Sequence, residues 1–273
     1  MSHLFKLASR ESKHQNSEIQ VGSVIFGKAK VVIIAGPCAI ESRDQLFEVA
    51  KKVKLAGATM LRAGAFKPRT SPYTFAGLGI EGLKMLKEIS EEIEIPTVTE
   101  VLDIHSIEEC GEFSDMLQIG SRNMQNVNLL KAVGRSKKPV LLKRGMSSTI
   151  TEFLLAAEYI LASGNPNVVL CERGIRTFET ETRNTLSLSA IPLVKELSHL
   201  PIIIDPSHAT GRSSLVISMT KAGIAAGSDG IMIDVHPNPN AALCDGKQAL
   251  TPAQFIELVD ECRPIAKAVD RSL

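Results

Sequence analysis

The sequence predicts an α/β fold, a single parallel (β/α)8 TIM barrel with a short N-terminal β-hairpin. Three observations predict it. A length of 273 residues suits one such barrel. Apolar, β-rich runs recur eight times, with helical periodicity between them. Those runs are nearly continuous in apolar character, as expected of parallel strands buried on both faces. With 44% hydrophobic and 22% charged residues, the chain can build a large core.

Residues 1–17 are polar and charged and are expected to form a loose tail. Residues 19–21 and 24–26 flank a Gly22-Ser23 turn and read as a hairpin with a Gly-first two-residue loop. Residues 1–28 are thus assigned to tail and hairpin, and 29–273 to the catalytic barrel. Strands are expected at 31–35, 59–62, 97–101, 115–119, 140–143, 168–171, 202–205 and 230–235. Helical periodicity marks 44–55, 82–93, 127–133, 149–162, 186–197, 213–225 and 252–268. Ser42 is placed to start the first helix, and Thr251-Pro252 the last. The rival architecture is a doubly wound open sheet. The turn after the first barrel strand, Gly36-Pro37-Cys38-Ala39-Ile40, lacks the G-x-G-x-x-G fingerprint usual there.

Composition excludes some functions. A net charge of +1 provides no global field for nucleic acid or a membrane surface. With no Trp and two Tyr, base-stacking surfaces are not expected. Five scattered cysteines, an odd number, suit a reducing cytosol rather than a disulfide framework. No run has signal-peptide or membrane-spanning character, so a cytoplasmic protein is expected.

The segment Leu61-Arg-Ala-Gly-Ala-Phe-Lys-Pro-Arg-Thr-Ser71 leaves an apolar run and at once presents Arg62, Lys67 and Arg69. It reads either as a solvated basic turn or as an anion site. The other strand ends favour the anion site. In a barrel of this kind the site lies where the strands end, and those positions deliver Cys38, Arg62 with Lys67, Glu100, Arg122, Lys143, Arg173 with Arg176, His208 and Asp234. Cations converging there without matching carboxylates repel one another unless an anionic ligand neutralises them. Two phosphates, or a phosphate and a carboxylate, are the simplest ligands. Cys38, His208, Asp234 and Asp245 belong to the first, seventh and eighth strand ends, which are neighbours once the barrel closes. A thiol, an imidazole and two carboxylates make a site for a divalent metal such as Mn, Fe, Co or Zn. Cys38 by itself reads as a small buried residue. His199 falls just after a helix, where an imidazolium suits the dipole, and His236 could support the metal site from behind. Cys110, Cys171, Cys244 and Cys262 carry no functional expectation.

These residues carry a family resemblance. Gly36-Pro37-Cys38-Ala39-Ile40-Glu41-Ser42, Lys67-Pro68-Arg69-Thr70-Ser71, Ile119-Gly120-Ser121-Arg122-Asn123, Leu142-Lys143-Arg144-Gly145, Cys171-Glu172-Arg173-Gly174 and Asp205-Pro206-Ser207-His208 all resemble 3-deoxy-D-arabino-heptulosonate 7-phosphate (DAHP) synthase. The likeness is to the branch that also resembles 3-deoxy-manno-octulosonate 8-phosphate (KDO8P) synthase, and it runs from about residue 31 to 248.

The resemblance implies a condensation of phosphoenolpyruvate with erythrose 4-phosphate that opens the shikimate route to aromatic amino acids. It implies that Arg62, Lys67, Arg122, Lys143 and Arg173 cradle phosphoenolpyruvate, and that Lys67, Pro68, Arg69, Thr70 and Ser71 meet the aldose phosphate. Glu100 and Arg212 complete the expected substrate set, with Arg212 on a distal phosphate. Cys38, His208, Asp234 and Asp245 are the implied ligands of a divalent metal. Lys67, Cys38 and His208 are the implied catalytic residues, Lys67 as proton donor. A homotetramer is the implied assembly.

Asp234 departs from the pattern, since a glutamate is usual there and the shorter carboxylate has less reach. KDO8P synthase, with arabinose 5-phosphate, is the first alternative, and Pro68-Arg69 argues against it. A non-catalytic phosphosugar-binding barrel is the second. The short N-terminal segment is too small for a feedback domain, so aromatic amino acids are not expected to inhibit.

Overall fold

The computed structural model describes residues 4–69 and 71–273. His3, placed in the tail, and Thr70, placed in the aldose-phosphate segment, lie outside the described residues. The antiparallel hairpin is β1 (Ile19–Val21) and β2 (Val24–Phe26), turned at Gly22, whose φ of 56° favours glycine. The barrel strands are β3 (Val32–Gly36), β4 (Met60–Arg62), β5 (Thr97–Val101), β6 (Met116–Ile119), β7 (Val140–Lys143), β8 (Val168–Glu172), β9 (Ile202–Ile204) and β10 (Gly230–Asp234). They pair in parallel in sequence order, and β10 closes on β3 with Asp234 opposite Gly36. This is the expected closed barrel rather than an open sheet.

The helices are α1 (Arg43–Leu55), α2 (Ile80–Ile93), α3 (Ile107–Phe113), α4 (Val127–Arg135), α5 (Ile150–Ala162), α6 (Ala190–Leu197), α7 (Pro206–Thr210), α8 (Ser213–Ala225) and α9 (Pro252–Ala268). Ser42 accepts a hydrogen bond from the Gln45 amide at the start of α1. Thr149 and Thr251 form reciprocal capping boxes with Glu152 and Gln254. Two expectations change. Helix α6 begins at Ala190, not at 186, and this puts Pro192 in the first turn, where its missing N–H does no harm. A start at 186 would have placed that ring in the helix interior. Helix α3, absent from the sequence reading, has seven residues including a glycine and three glutamates. Its apolar pattern is too short to register a period.

Alternation along the strands separates two cores. Val32 and Ile34 of β3 share the barrel interior with Met60, Val98, Leu141, Val169, Ile203 and Met232. Ile33 and Ala35 face the helix layer. Ile19, Val21, Val24 and Phe26 belong to the interior cluster, so the hairpin plugs one end of the barrel. The other end is left open for chemistry.

The expectation of a loose tail is overturned. Phe5 and Ala8 are buried against the helix layer. The Glu158 carboxylate accepts the backbone N–H groups of Lys6, Leu7 and Ala8 at 2.8–2.9 Å, and Arg10 donates to the Lys195 carbonyl at 2.8 Å. A composition rich in charge hid two apolar anchors, Phe5 and Ala8, and a distant side chain that accepts backbone donors. His199 belongs to this strap. Its Nδ1 lies 2.8 Å from Ser17 Oγ and its Nε2 2.7 Å from the Leu7 carbonyl. Burial lowers its pKa below the ordinary 6.5, which overturns the expected imidazolium at a helix end.

This last point has a pH consequence. The folded state favours neutral His199, so its contribution is complete above pH 6.5 and declines as pH falls and the unfolded chain takes up the proton. The Arg10 and Ser17 amides, bonded to the Leu197 and His199 carbonyls, are expected to lose exchange protection between about pH 7 and about pH 5. A His199→Gln variant should remove that dependence, and protection that is flat with pH in the parent would refute it.

Candidate active site

The open end of the barrel holds a cavity of about 280 Å³. Arg62, Lys67, Arg69, Arg122, Lys143, Arg173 and Arg183 line it, and Glu100 and Asp245 are the carboxylates among its lining residues. Pro68, Ser71 and His208 also reach its wall. The sequence-derived rim therefore converges in space, with Arg183 added. Arg176 and Arg212 are not among the lining residues. Arg176 is exposed, and Arg212 donates to the Glu181 carbonyl and lies 3.8 Å from its carboxylate.

Two of the cations are fixed from behind by fully buried carboxylates. Arg62, at the end of β4, forms a very short ion pair with Asp234, at the end of β10. Lys143, at the end of β7, meets Asp205 at 2.5 Å. Burial opposes the Arg62 charge, but Asp234, Cys38 and Asp205 together outweigh it and push the guanidinium pKa up. Burial likewise opposes the Asp205 carboxylate, and His208 and Lys143 hold it well below the usual range. Arg144 and Glu172, next in the chain to Lys143 and Arg173, pair at 2.9 Å. Glu172 also accepts the Gly174 amide at 2.7 Å, so this second pair shapes the turn that carries Arg173.

Arg173 has no such carboxylate. Nη2 donates to the His208 carbonyl at 3.2 Å, whereas Nη1 is buried and has no hydrogen-bond partner. Burial pushes its pKa down. An unsatisfied guanidinium N–H on a cavity wall marks where an anion belongs, because an unpaired buried charge is costly.

Close backbone approach sets the remaining geometry. A Cβ on Gly64 would stand 2.7 Å from the Cys38 carbonyl and 2.9 Å from Lys67 Cδ, so glycine lets Lys67 fold over the first strand end. Lys67 Nζ there donates to the Cys38 carbonyl at 3.0 Å and to its Sγ at 3.1 Å. A Cβ on Gly120 would strike Glu100 Oε1 at 2.0 Å. The segment after Lys67 folds over the cavity: Arg122 donates to the Pro68 carbonyl at 2.9 Å, and Arg69 donates to Thr74 Oγ1 at 3.0 Å.

Beside Lys67 lie two overlapping sets of metal-ligating atoms, Cys38–His208–Asp234 and Cys38–Cys244–Asp245, each within 4.8 Å of one another. Cys38 Sγ is 3.1 Å from Asp245 Oδ2, 3.6 Å from Cys244 Sγ and 3.8 Å from His208 Nε2. A tetrahedral ion with bonds of about 2.0–2.3 Å needs ligand edges of about 3.3–3.8 Å, so these donors fit a divalent transition metal. His208 Nδ1, on the other side of the ring, is 2.9 Å from Asp205 Oδ2, although not aligned for a hydrogen bond. Carboxylates behind a ligating imidazole fix its orientation. Asp245 takes a left-handed φ of 53° to reach the cluster, a conformation that Asp tolerates better than most residues. Burial disfavours its charge, but His208 and Arg183 outweigh that and hold the carboxyl well below the usual range. The contact with Cys244, and then burial, push the Cys38 thiol up, and the same contact draws the Cys244 thiol down. His236 is 3.4 Å from Glu41 and accepts the Asn238 amide at Nδ1 at 3.1 Å.

The sequence profile described as DAHP synthetase I family matches residues 10–270. The chain belongs to this family. It is 50% identical over 265 residues to phospho-2-dehydro-3-deoxyheptonate aldolase of Thermotoga maritima, covering 97% of this chain and 78% of that protein. A crystal structure of the T. maritima aldolase (DAHP synthase) superposes with a TM-score of 0.96 at 49% identity, over 98% of this chain and 78% of that one. A truncated form of the T. maritima 3-deoxy-D-arabino-heptulosonate 7-phosphate synthase gives 0.93 at 46% identity, over 98% and 99%. A 2-dehydro-3-deoxyphosphooctonate aldolase of Fusobacterium nucleatum is 31% identical over 274 residues, covering 93% and 96%.

In this DAHP synthetase I family member, sequence reasoning missed three site residues. Arg183 sits in the long loop after β8, where no strand end announces it, and reaches Asp245 Oδ1 and Gln248 Oε1, each at 3.1 Å. Asp205 was visible as a strand-end acid before Pro206, but its pairing with Lys143 required the fold. Cys244 adjoins Asp245, and that adjacency was the available signal. Removing a buried counter-charge has a predictable effect. Asp234→Asn is expected to cost about 3–5 kcal/mol by leaving Arg62 buried and unpaired. Urea unfolding measures it, and the double variant with Arg62→Met should recover part of the loss.

Proposed function

We propose that this chain is a DAHP synthase, condensing phosphoenolpyruvate, erythrose 4-phosphate and water into 3-deoxy-D-arabino-heptulosonate 7-phosphate and phosphate. The observation that carries the reading is the cavity lined by seven cations against four carboxylates, Glu100 and Asp245 in its lining and Asp234 and Asp205 behind it, with Nη1 of Arg173 unsatisfied among the described residues. Two phosphorylated substrates supply the missing negative charge. The 50% identity with the T. maritima enzyme supports the same chemistry.

Arg62, Lys143 and Arg173 hold the carboxylate and phosphate of phosphoenolpyruvate, with Arg122 and Lys67 at its flanks. Arg69 and Ser71, with Thr70 by resemblance, receive the aldose phosphate, and Arg183, which also lines the cavity, is a further candidate. The fixed cations keep two mutually repelling anions in attack geometry, a positioning and electrostatic task. C3 of phosphoenolpyruvate bonds to the aldehyde carbon, water adds at C2, and C2 then releases phosphate. Lys67 stays an ammonium: burial opposes its charge, but Cys38, Glu100 and Cys244 together push its pKa up. It gives its proton to the alkoxide formed from the aldehyde. Cys38, His208 and Asp245, with Asp234 beside them, would hold a divalent metal that supplies Lewis acidity toward the aldehyde oxygen.

The alternative acceptor is arabinose 5-phosphate, as the octonate relatives would have it. Pro68 and Arg69, which both line the cavity, favour the shorter sugar by their resemblance to the DAHP synthase loop. Phosphate release is expected with phosphoenolpyruvate plus erythrose 4-phosphate and not with arabinose 5-phosphate; the reverse preference would overturn the assignment. Lys67→Met should lower kcat by roughly 10²–10⁴-fold, the usual scale for a lost general acid. Chelator-stripped protein is expected to be inactive until divalent metal is added, and full turnover without metal would exclude the ion's role.

A further inference from the structure

We propose that Cys244, not Asp234, is the fourth protein ligand of the metal centre, making it a two-thiolate site with Cys38, His208 and Asp245. The inference deepens the metal assignment made above and rests on it. The geometry is that of one coordination shell. Cys244 Sγ lies 3.6 Å from Cys38 Sγ and 3.6 Å from Asp245 Oδ2. Cys38 Sγ lies 3.1 Å from Asp245 Oδ2 and 3.8 Å from His208 Nε2, and Asp245 Oδ2 lies 3.7 Å from that same nitrogen. Five of the six edges of a four-donor shell thus measure 3.1–3.8 Å, near the about 3.3–3.8 Å required by a tetrahedral ion with Zn–N and Zn–S bonds, and an ion would draw Cys244 and His208 together along the sixth.

Asp234 is committed elsewhere. One carboxylate oxygen pairs with Arg62, and the other accepts from Gln248 Nε2 at 2.6 Å. It meets His208 at Nδ1, 3.5 Å away, whereas Cys38 and Asp245 meet the ring at Nε2. For Asp234 to ligate the ion, it would have to release a fully buried guanidinium, which is costly. Cys244 needs no such rearrangement. Arg69 Nη1 already stands 2.7 Å from its sulfur, a placement that favours a thiolate. The shell would then carry two thiolates and one carboxylate, a softer donor set than a single thiolate with two carboxylates. Such a set favours Zn, Co or Fe over Mn. It also ties the loop that meets the aldose phosphate to the metal through Arg69.

The test uses the whole chain, stripped of metal and titrated with Co²⁺. The near-ultraviolet sulfur-to-cobalt charge-transfer band grows with the number of thiolates bound. Cys110, Cys171 and Cys262 are buried outside the cluster, so the band reports on Cys38 and Cys244. Cys244→Ser and Cys38→Ser are each expected to reduce the band to about half at saturating cobalt. X-ray absorption of the zinc-loaded parent should show two sulfur neighbours at about 2.3 Å, and one in Cys244→Ser. A band and sulfur count unchanged in Cys244→Ser, with both lost in Cys38→Ser, would overturn the proposal and leave a one-thiolate metal centre standing. Failure of the parent to bind cobalt or zinc in equilibrium dialysis would overturn the metal assignment itself.

Discussion

The burial of charge in pairs is the constraint on which the open end of the barrel depends. Arg62 with Asp234, and Lys143 with Asp205, place cations on the cavity wall and their counter-charges behind it. Each pair joins strands that are distant in the chain, β4 to β10 and β7 to the end of β9. A cation held this way cannot swing into solvent when substrate is absent, so little reorganisation is needed when an anion arrives. Arg173 differs because, among the described residues, its guanidinium has no carboxylate within ion-pair distance and one buried N–H lacks a partner. Preorganised pairs and one unsatisfied donor together define a site for anions.

The same carboxylates serve the thiol cluster. Asp205 caps α7 by accepting the His208 amide at 2.9 Å, and its other oxygen sits beside His208 Nδ1. One buried acid thus positions a cavity-lining lysine, begins the helix that bears the imidazole, and lies beside that imidazole, whose other face meets Cys38 and Asp245. Lys67 spans the remaining gap with its ammonium on Cys38. Anion site and metal donors are therefore mechanically one unit. The opposite end of the barrel is sealed by the hairpin, with Phe26 fully buried, so the chemistry is confined to one mouth.

Much of this was legible in the chain. Eight buried strands show as apolar runs because both faces of a parallel barrel strand are covered. Once the barrel is inferred, the strand-end rule places Arg62, Lys67, Arg122, Lys143, Arg173 and His208 at one mouth without any coordinates. Cys38, His208 and Asp245, whose donor atoms lie 3.1–3.8 Å apart, were legible as a group for the same reason. The strap at residues 4–17 was not legible, since its anchors are few and its partner, Glu158, lies about 150 residues away in the chain. Arg183 was missed because a long loop has no periodicity from which to predict where its side chains point.

The sequence by itself determined the architecture, the family and the chemical character of the mouth, because periodicity and strand-end composition are local properties of the chain. The tertiary structure decided which charges meet. It gave Asp234 to Arg62, Asp205 to Lys143, and brought Cys244 against Cys38. Those pairings depend on distances of a few ångströms between segments far apart in sequence, and such distances are set only when the barrel closes.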